Sequence, residues 1–395
     1  MYMFRFAAAI IVVASVSSCA VAGSAVPGEL DVRTLATGSF DVDKHRYTDT
    51  AGSAGALVEG VRMAATIAPT VRIDPSLTYG RGDAVLSTVT SALDYVANVS
   101  RPILENRKYV TGYATAGADE ENAPGAKRPG PTATVVTTSV LRFPDATTAT
   151  LAARELEDAD LGVSPDNRKL PSTKYPAAYL HWRPGIPSIG VFHAYNEFVI
   201  SGLIQRPRAD ATDLTQWAEK SLAATLAQLA KFTPTPASNL STLPVDPGNL
   251  LARAVVDKRT DLRPNEDTFA VYPAEHLTNI SQDQKLAEET IAATGMDFIG
   301  EAGSSTVTRV RDQQGAEKLM QSFLDRSSHY DPMSAPSEVP GAKCLVLNSN
   351  GNAEKEYRYR CYVPYKRYLA TVRGDKEPEI RQKVAAQYAL LANSS

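Results

Sequence analysis

Cysteine, histidine and tryptophan are scarce in this chain: 395 residues hold three, five and two of them. No sign of charge prevails either, since 41 lysines and arginines stand against 44 aspartates and glutamates, a formal net charge of −3. Nucleic-acid binders carry a clear basic excess, so this balance points away from a nucleic-acid partner. The histidines, His45, His181, His193, His276 and His329, are far apart in sequence. With no HExxH, no HxH and no cysteine or carboxylate at metal spacing, the chain offers no metal site. His181 and His193 fall on adjacent strand candidates, where they could approach one another. GxxxxGK[ST] and GxGxxG are absent, which leaves nucleotide and cofactor binding without support. No GxSxG or SxxK with a usable partner set is present, so hydrolysis rests only on the existence of serines and histidines. The acidic stretches "DADLGVSPD" and "EDAD" lack the spacing and glycine of an EF-hand loop.

The chain does carry an N-terminal export signal. In "MYMFRFAAAIIVVASVSSCAVAGS", Arg5 gives a positive start, Phe6 to Ala14 form a short apolar core, and small residues follow. The apolar run is too short to span a membrane. Val16-Ser17-Ser18-Cys19 resembles a bacterial lipobox, which implies cleavage before Cys19 and acylation of that cysteine. Residues 1–18 are then the signal peptide and 19–30 a small-residue tether. Several acyl chains give firm anchoring, because each buried methylene adds roughly 0.8 kcal/mol. With Cys19 taken as the lipid acceptor, Cys344 and Cys361 remain as an even pair in an exported protein. A disulfide is the simplest state for such a pair.

The length predicts two domains. Residues 31–232 form the first, the proline-rich segment 233–248 the linker, and 249–395 the second. In the first, helical spacing of Ala56, Leu57, Val61, Ala64, Ala65 and Ile67 predicts a helix that Pro69 ends. A second helix is expected from Asp83 to Ala97, with Asp83 near its start. The alternation of "TATVVTTSVLRF" predicts a strand, Pro144-Asp145 opens a helix to about 158, strands follow at 177–182, 189–195 and 197–205, and a helix at 212–231 closes the unit.

The second half repeats the order β-α-β-β-β-α. "YNEFVIS" at 195–201 matches "YKRYLAT" at 365–371, and Asp145-Ala146 is matched to Gly315-Ala316, both at an offset of 170 positions. The reading is a tandem duplication of an α+β unit, with helices covering one face of an antiparallel sheet in each copy. The copies share apolar and turn positions rather than polar ones, so fold is what recurs.

The stretch "EYRYRCYVPYKRYLATVRG" looks basic and aromatic. Read with period two, Tyr357, Tyr359, Cys361 and Val363 face one side of a strand while Arg358 and Arg360 face solvent. Pro364 to Arg367 then form the turn to a strand carrying Tyr368, Ala370 and Val372. Cys361 on this hairpin can reach Cys344 on the neighbouring strand.

The lipobox, the "GALVEGVRMAATIAPTVRIDPSL" segment, the "VLRFPDATTATLAARELE" unit and the "C…YRCYVPYKRYLATV" element together resemble an uncharacterised family of two-domain lipoproteins from mycobacteria and related mycolate-bearing actinobacteria. The resemblance spans essentially the whole mature chain, and its motifs are structural. It implies a duplicated α+β architecture and a lipid anchor at Cys19 on the extracytoplasmic face of the cell membrane, with Cys344 and Cys361 as the paired cysteines. The first domain departs from the second in having no cysteines on its hairpin. Three functional readings follow: a non-catalytic envelope module that binds an unknown envelope protein or lipid; a lipid or glycolipid carrier, or a sensor, with an apolar cleft; and a hydrolase.

Overall fold

The computed structural model describes residues 30–394 except Pro124, Lys127 and Asp261. The signal segment, Cys19 and all but the last residue of the tether lie outside the described residues. Two seven-stranded antiparallel sheets organise the rest. The first comprises β1 (Tyr79–Val85), β2 (Thr111–Ala118), β3 (Val135–Arg142), β4 (Arg168–Leu170), β5 (Tyr179–Trp182), β6 (Ser188–Tyr195) and β7 (Phe198–Gln205), in the order β1-β2-β3-β7-β6-β5-β4. The second comprises β8 (Phe269–Pro273), β9 (Phe298–Ala302), β10 (Ser305–Arg309), β11 (Tyr330–Met333), β12 (Lys343–Leu347), β13 (Tyr359–Tyr365) and β14 (Tyr368–Gly374). Taken from the β8 edge its order is β8-β9-β10-β14-β13-β12-β11, the same topology strand for strand.

Helices of the first half are α1 (Gly55–Arg62), α2 (Thr70–Ile73), α3 (Val89–Ala92), α4 (Arg101–Asn106), α5 (Ala146–Leu161) and α6 (Ala211–Leu229). Those of the second are α7 (Glu275–Ile280), α8 (Gln284–Thr294), α9 (Gln313–Asp325) and α10 (Glu377–Asn393). The expected β-α-β-β-β-α core is present twice, as β3-α5-β5-β6-β7-α6 and β10-α9-β12-β13-β14-α10, with further strands at both sheet edges.

Local chemistry accounts for the shared parts. Asp145 accepts the Thr148 N–H at 2.7 Å and Asp312 accepts the Gly315 N–H at 2.8 Å, each capping the helix that follows its strand. The equivalent of Asp145 is thus Asp312, three residues ahead of the sequence match to Gly315. Asn196 and Lys366 turn the equivalent hairpins with φ of 50° and 48°. The hairpins keep the offset of 170, so the second copy is three residues longer between its helix cap and its hairpin turn. Gly295 ends α8 with φ of 62°.

Each sheet is covered on both faces rather than one. On one face of the first sheet α5 packs Ala149, Ala152, Ala153 and Leu156 against Leu141, Phe192 and Val199. On the other, α6 packs Leu214, Trp217 and Leu222 against Val140, Ile189 and Ile200. In the second sheet α10 and α9 take the equivalent places, with Cys361, Val363, Ala370 and Val372 under α10 and Tyr362 and Leu369 under α9. Both parities of β13 are therefore buried, which overrides the simple alternation read from its sequence. Arg360 is not solvated: its guanidinium lies 4.5 Å above the Tyr330 ring. Tyr357 precedes the strand and is exposed.

Two further expectations change. Residues 83–97 do not form one helix, because Asp83 belongs to β1, paired with Thr115 of β2, and only Val89–Ala92 is helical, started by a Thr88/Ser91 capping box. Tertiary partners of Asp83, described below, override its resemblance to a helix cap. Pro364 lies within β13 opposite Leu369, and the turn is only Lys366-Arg367 between the paired Tyr365 and Tyr368. Proline is tolerated there because β12 pairs no further than Tyr362, so no ladder partner needs its missing N–H.

Candidate functional site: an apolar cleft between the domains

The two sheets do not sit apart. One buried cluster runs from Val85 and Tyr113 of the first sheet through Ala270, Tyr272 and Ile299 to Leu319 on α9. Main-chain bonds cross the boundary, from Gly80 N–H to Gln282 at 3.2 Å and from Gln284 N–H to Thr78 at 2.9 Å. A Cβ on Gly80 would lie 2.0 Å from the Ser281 carbonyl oxygen, so only glycine permits this approach. Arg72 pairs with Glu288 at 2.6 Å, and the buried Gln284 accepts from Thr70 at 2.9 Å.

At this junction the walls leave a cleft of about 460 Å³. One wall is α1 and the turn after it, where Leu57, Val58, Val61 and Ala65 point inward. Gly60 on the opposite side of α1 sits against β2; a Cβ there would come within 2.7 Å of Thr111 Oγ1. That close seat is what brings the apolar stripe of α1 to the cleft. The facing wall is β8 with Phe269 and Val271, joined by Phe298. Phe232 closes one end and Leu243, Pro244 and Pro247 of the proline-rich segment another. Proline contributes ring surface and no N–H, so this lining offers hydrocarbon contact with few hydrogen-bond donors. Charge is confined to Arg62, Lys231 and Glu275 among the lining residues. Arg62 lies 5.3 Å from the Phe232 ring centroid.

The floor beneath α1 is polar and largely hydrogen-bonded, with Arg142 Nε left without a partner among the described residues. Glu59, fully buried, accepts from Arg142 Nη1 at 2.7 Å, Thr235 N–H at 2.9 Å and Thr235 Oγ1 at 3.0 Å, and also from Arg62. Arg142 donates further to the Thr235 carbonyl and lies 3.6 Å from Glu197. Burial lowers the Arg142 pKa, against the opposing pull of Glu59 and Glu197. This network ties α1, β3 and the proline-rich segment together, which fixes the cleft wall from behind.

A second polar group spans the domains. His276 Nδ1 lies 2.7 Å from Asp83 Oδ2, Tyr113 donates its hydroxyl to the same oxygen, and Tyr272 stacks on the imidazole with centroids 3.8 Å apart. An Asp-His pair is half of a nucleophile-activating set. The hydroxyl that completes it here belongs to Tyr113, whose pKa burial and the Asp83 charge push well up. Its hydroxyl is already engaged as a donor to Asp83, so the group reads as an interdomain latch.

The structure separates His181 from His193. His181 pairs across the ladder with Gly190, three residues from His193, so the two rings point to opposite faces of the sheet. His181 Nδ1 lies 2.7 Å from the buried Glu157, and Asp160 is 3.6 Å from Nε2. Burial pulls the His181 pKa down, but the hydrogen bond and charge of Glu157, with Asp160, leave it raised overall. His193 is half-buried beside Tyr175, and burial lowers its pKa. His329 faces Glu356 at 3.1 Å near the surface, and His45 meets Tyr47 edge-on at 4.5 Å. Cys344 and Cys361 are directly opposed on β12 and β13 and joined by a disulfide. Cys19 lies outside the described residues.

The Asp83–His276 contact was invisible in sequence, since 193 positions separate the two residues. The cleft did leave a trace, in the prolines of segment 233–248 and the apolar stripe of α1.

No helix among the described residues is long and apolar enough to cross a membrane. No curated protein matches the chain. Among solved structures, the crystal structure of the extracellular domain of PknH from Mycobacterium tuberculosis is similar at 9% identity, covering 42% of this chain and 94% of that one, with a TM-score of 0.29. At that score the likeness does not establish a shared fold. Family models match along both halves: Domain of unknown function (DUF7373) N-terminal over residues 46–245, and its C-terminal counterpart over residues 250–394. The chain therefore belongs to the DUF7373 family, a two-domain family of unknown function.

Proposed function

We propose that this protein is a non-catalytic module of the bacterial cell envelope, held at the extracytoplasmic face of the membrane by acyl chains on Cys19, whose interdomain cleft takes up an apolar ligand such as the hydrocarbon part of an envelope lipid. The carrying observation is the cleft itself, about 460 Å³ lined by leucine, valine, phenylalanine and proline. A lining so poor in donors suits a chain that needs burial rather than hydrogen bonds. Latches on the Asp83 and Gln284 sides hold the two walls together, so the site is pre-formed. Asp83, His276 and Tyr113 are engaged with one another, which favours binding over hydrolysis.

Native mass spectrometry of the full chain purified from membranes should show a co-purified lipid adduct. Repeated absence of any adduct would favour a surface for an envelope protein instead. The anchor is tested separately: Cys19→Ala, or a block of lipoprotein processing, should change membrane partition, and unchanged partition would remove it.

A further inference from the structure

One difference between the two copies of the fold sets charge against charge. Where β6 and β7 of the first sheet set Gly190 opposite Leu203, β13 and β14 of the second set Arg360 opposite Arg373. Like charges directly opposed across an antiparallel ladder are destabilising. A third arginine, Arg326 at the end of α9, closes over the same spot, and the three line a hollow of about 260 Å³ with Ser327, Tyr362 and Thr371. All three guanidinium groups are half-buried, and among the described residues none forms an ion pair. By contrast, the buried Arg142 and the half-buried Arg309 at the sheet ends face Glu59 and Asp297 at 2.7 and 2.8 Å.

The donors are partly used from behind. Arg326 is held by the Ser322 carbonyl at 2.9 Å, Arg373 by Thr306 Oγ1 at 3.0 Å, and Arg360 by the Tyr330 hydroxyl at 3.3 Å. Arg360 Nε is buried and has no partner among the described residues. Burial lowers the Arg326 pKa, against the opposing pull of Asp283 and Asp325. Clustered guanidinium forks backed by fixed acceptors match the oxygens of a tetrahedral anion, to which each can give charge-assisted bonds.

From this convergence we infer that the second domain carries an anion site, formed by Arg326, Arg360 and Arg373, for a phosphoryl group, either free phosphate or the phosphate of a lipid head group. The site shares no lining residue with the interdomain cleft and does not depend on it.

The test uses the full chain in neutral detergent, with thermal unfolding and calorimetry in inorganic phosphate and in short-chain phosphatidic acid, each against chloride at matched ionic strength. One or both phosphates should stabilise the protein and bind saturably, and which of them does so identifies the source. R360Q and R373Q should each weaken binding by roughly tenfold or more, the loss expected for a hydrogen bond to a charged group. R358Q serves as the control of equal charge change, because Arg358 is exposed and lies outside the hollow; it should bind as the parent does. R373K keeps the charge but loses the planar fork, so it should fold and still bind more weakly. The inference is overturned if neither phosphate exceeds matched chloride, if folded R360Q and R373Q bind like the parent, or if R358Q weakens binding equally.

Discussion

Replacing Glu59 with leucine removes the carboxylate on which four hydrogen bonds converge while keeping most of the side-chain volume. What remains is Arg142, its side chain 4% exposed, with Glu197 at 3.6 Å as its nearest carboxylate. Removing one partner of a buried pair strands the other charge and costs about 3–5 kcal/mol. Thr235 loses its N–H acceptor as well, so the upper part of that range is expected for E59L. R142M alone strands Glu59 less completely, because Arg62 and Thr235 still reach it. In E59L/R142M no charge is stranded, and the two side chains pack as hydrocarbon. The double variant should therefore be more stable than the sum of the singles predicts, with a coupling of about 2–3 kcal/mol. Urea unfolding followed by tryptophan fluorescence measures this selectively, because the chain's two tryptophans, Trp182 and Trp217, both belong to the first domain. The reasoning fails if E59L costs under about 1 kcal/mol, or if the double variant loses the sum of the two singles.

Reduction of the Cys344–Cys361 disulfide reopens a loop with a sequence separation of 17. In the chain-entropy model this costs about 3 kcal/mol. Circular dichroism should show a lower-melting second domain, whereas an unchanged melting curve would mean that the bond is redundant. His181 gives a pH dependence of defined sign. Its folded pKa is raised above 6.5, so its contribution is complete below the unfolded value and fades as pH rises through the folded one. His193 acts oppositely, because its lowered pKa costs stability as pH falls below 6.5. Comparing the parent with His181→Gln cancels the His193 contribution. The parent should lead by about 1.5–3 kcal/mol near pH 6, with the gap narrowing as pH rises, and a pH-independent gap would show that His181 is held only by packing.

Local chemistry made part of this fold legible. β-branched alternation marked β3 and β7, Asp145 announced α5, Gly295 ended α8, and the matching hairpins at 195–201 and 365–371 revealed the duplication. β2, "TGYATAGA", escaped because it is built of glycine, alanine and threonine; its small residues suit a strand buried on both faces and give no strong strand propensity. β1 was misread because Asp83 before an apolar run looks like a cap, and its actual partner, His276, comes from the other domain. The arginine hollow was within reach once the hairpin turn was placed correctly. With Tyr365 paired to Tyr368, register alone sets Arg360 opposite Arg373, and the assumed turn from Pro364 hid that pairing.

The two copies resolve the same position by opposite means, and the reason lies one strand further out. In the first domain the ladder neighbour of Gly190 is His181, and a Cβ at 190 would lie 2.6 Å from the imidazole. Glycine there makes room for an imidazole that Glu157 and Asp160 flank at 2.7 and 3.6 Å. In the second domain the neighbour of Arg360 is Leu345, which leaves space for the long side chain and supplies no counter-charge. Tyr330 supports the guanidinium plane from the next strand, as a cation–π partner rather than an ion pair. The first copy thus engages His181 with carboxylates of its own, while the second gathers Arg326, Arg360 and Arg373 around one hollow with no ion pair among the described residues. Duplication permits that division, because one copy can retain an arrangement while the other diverges at the same position without loss of the shared fold.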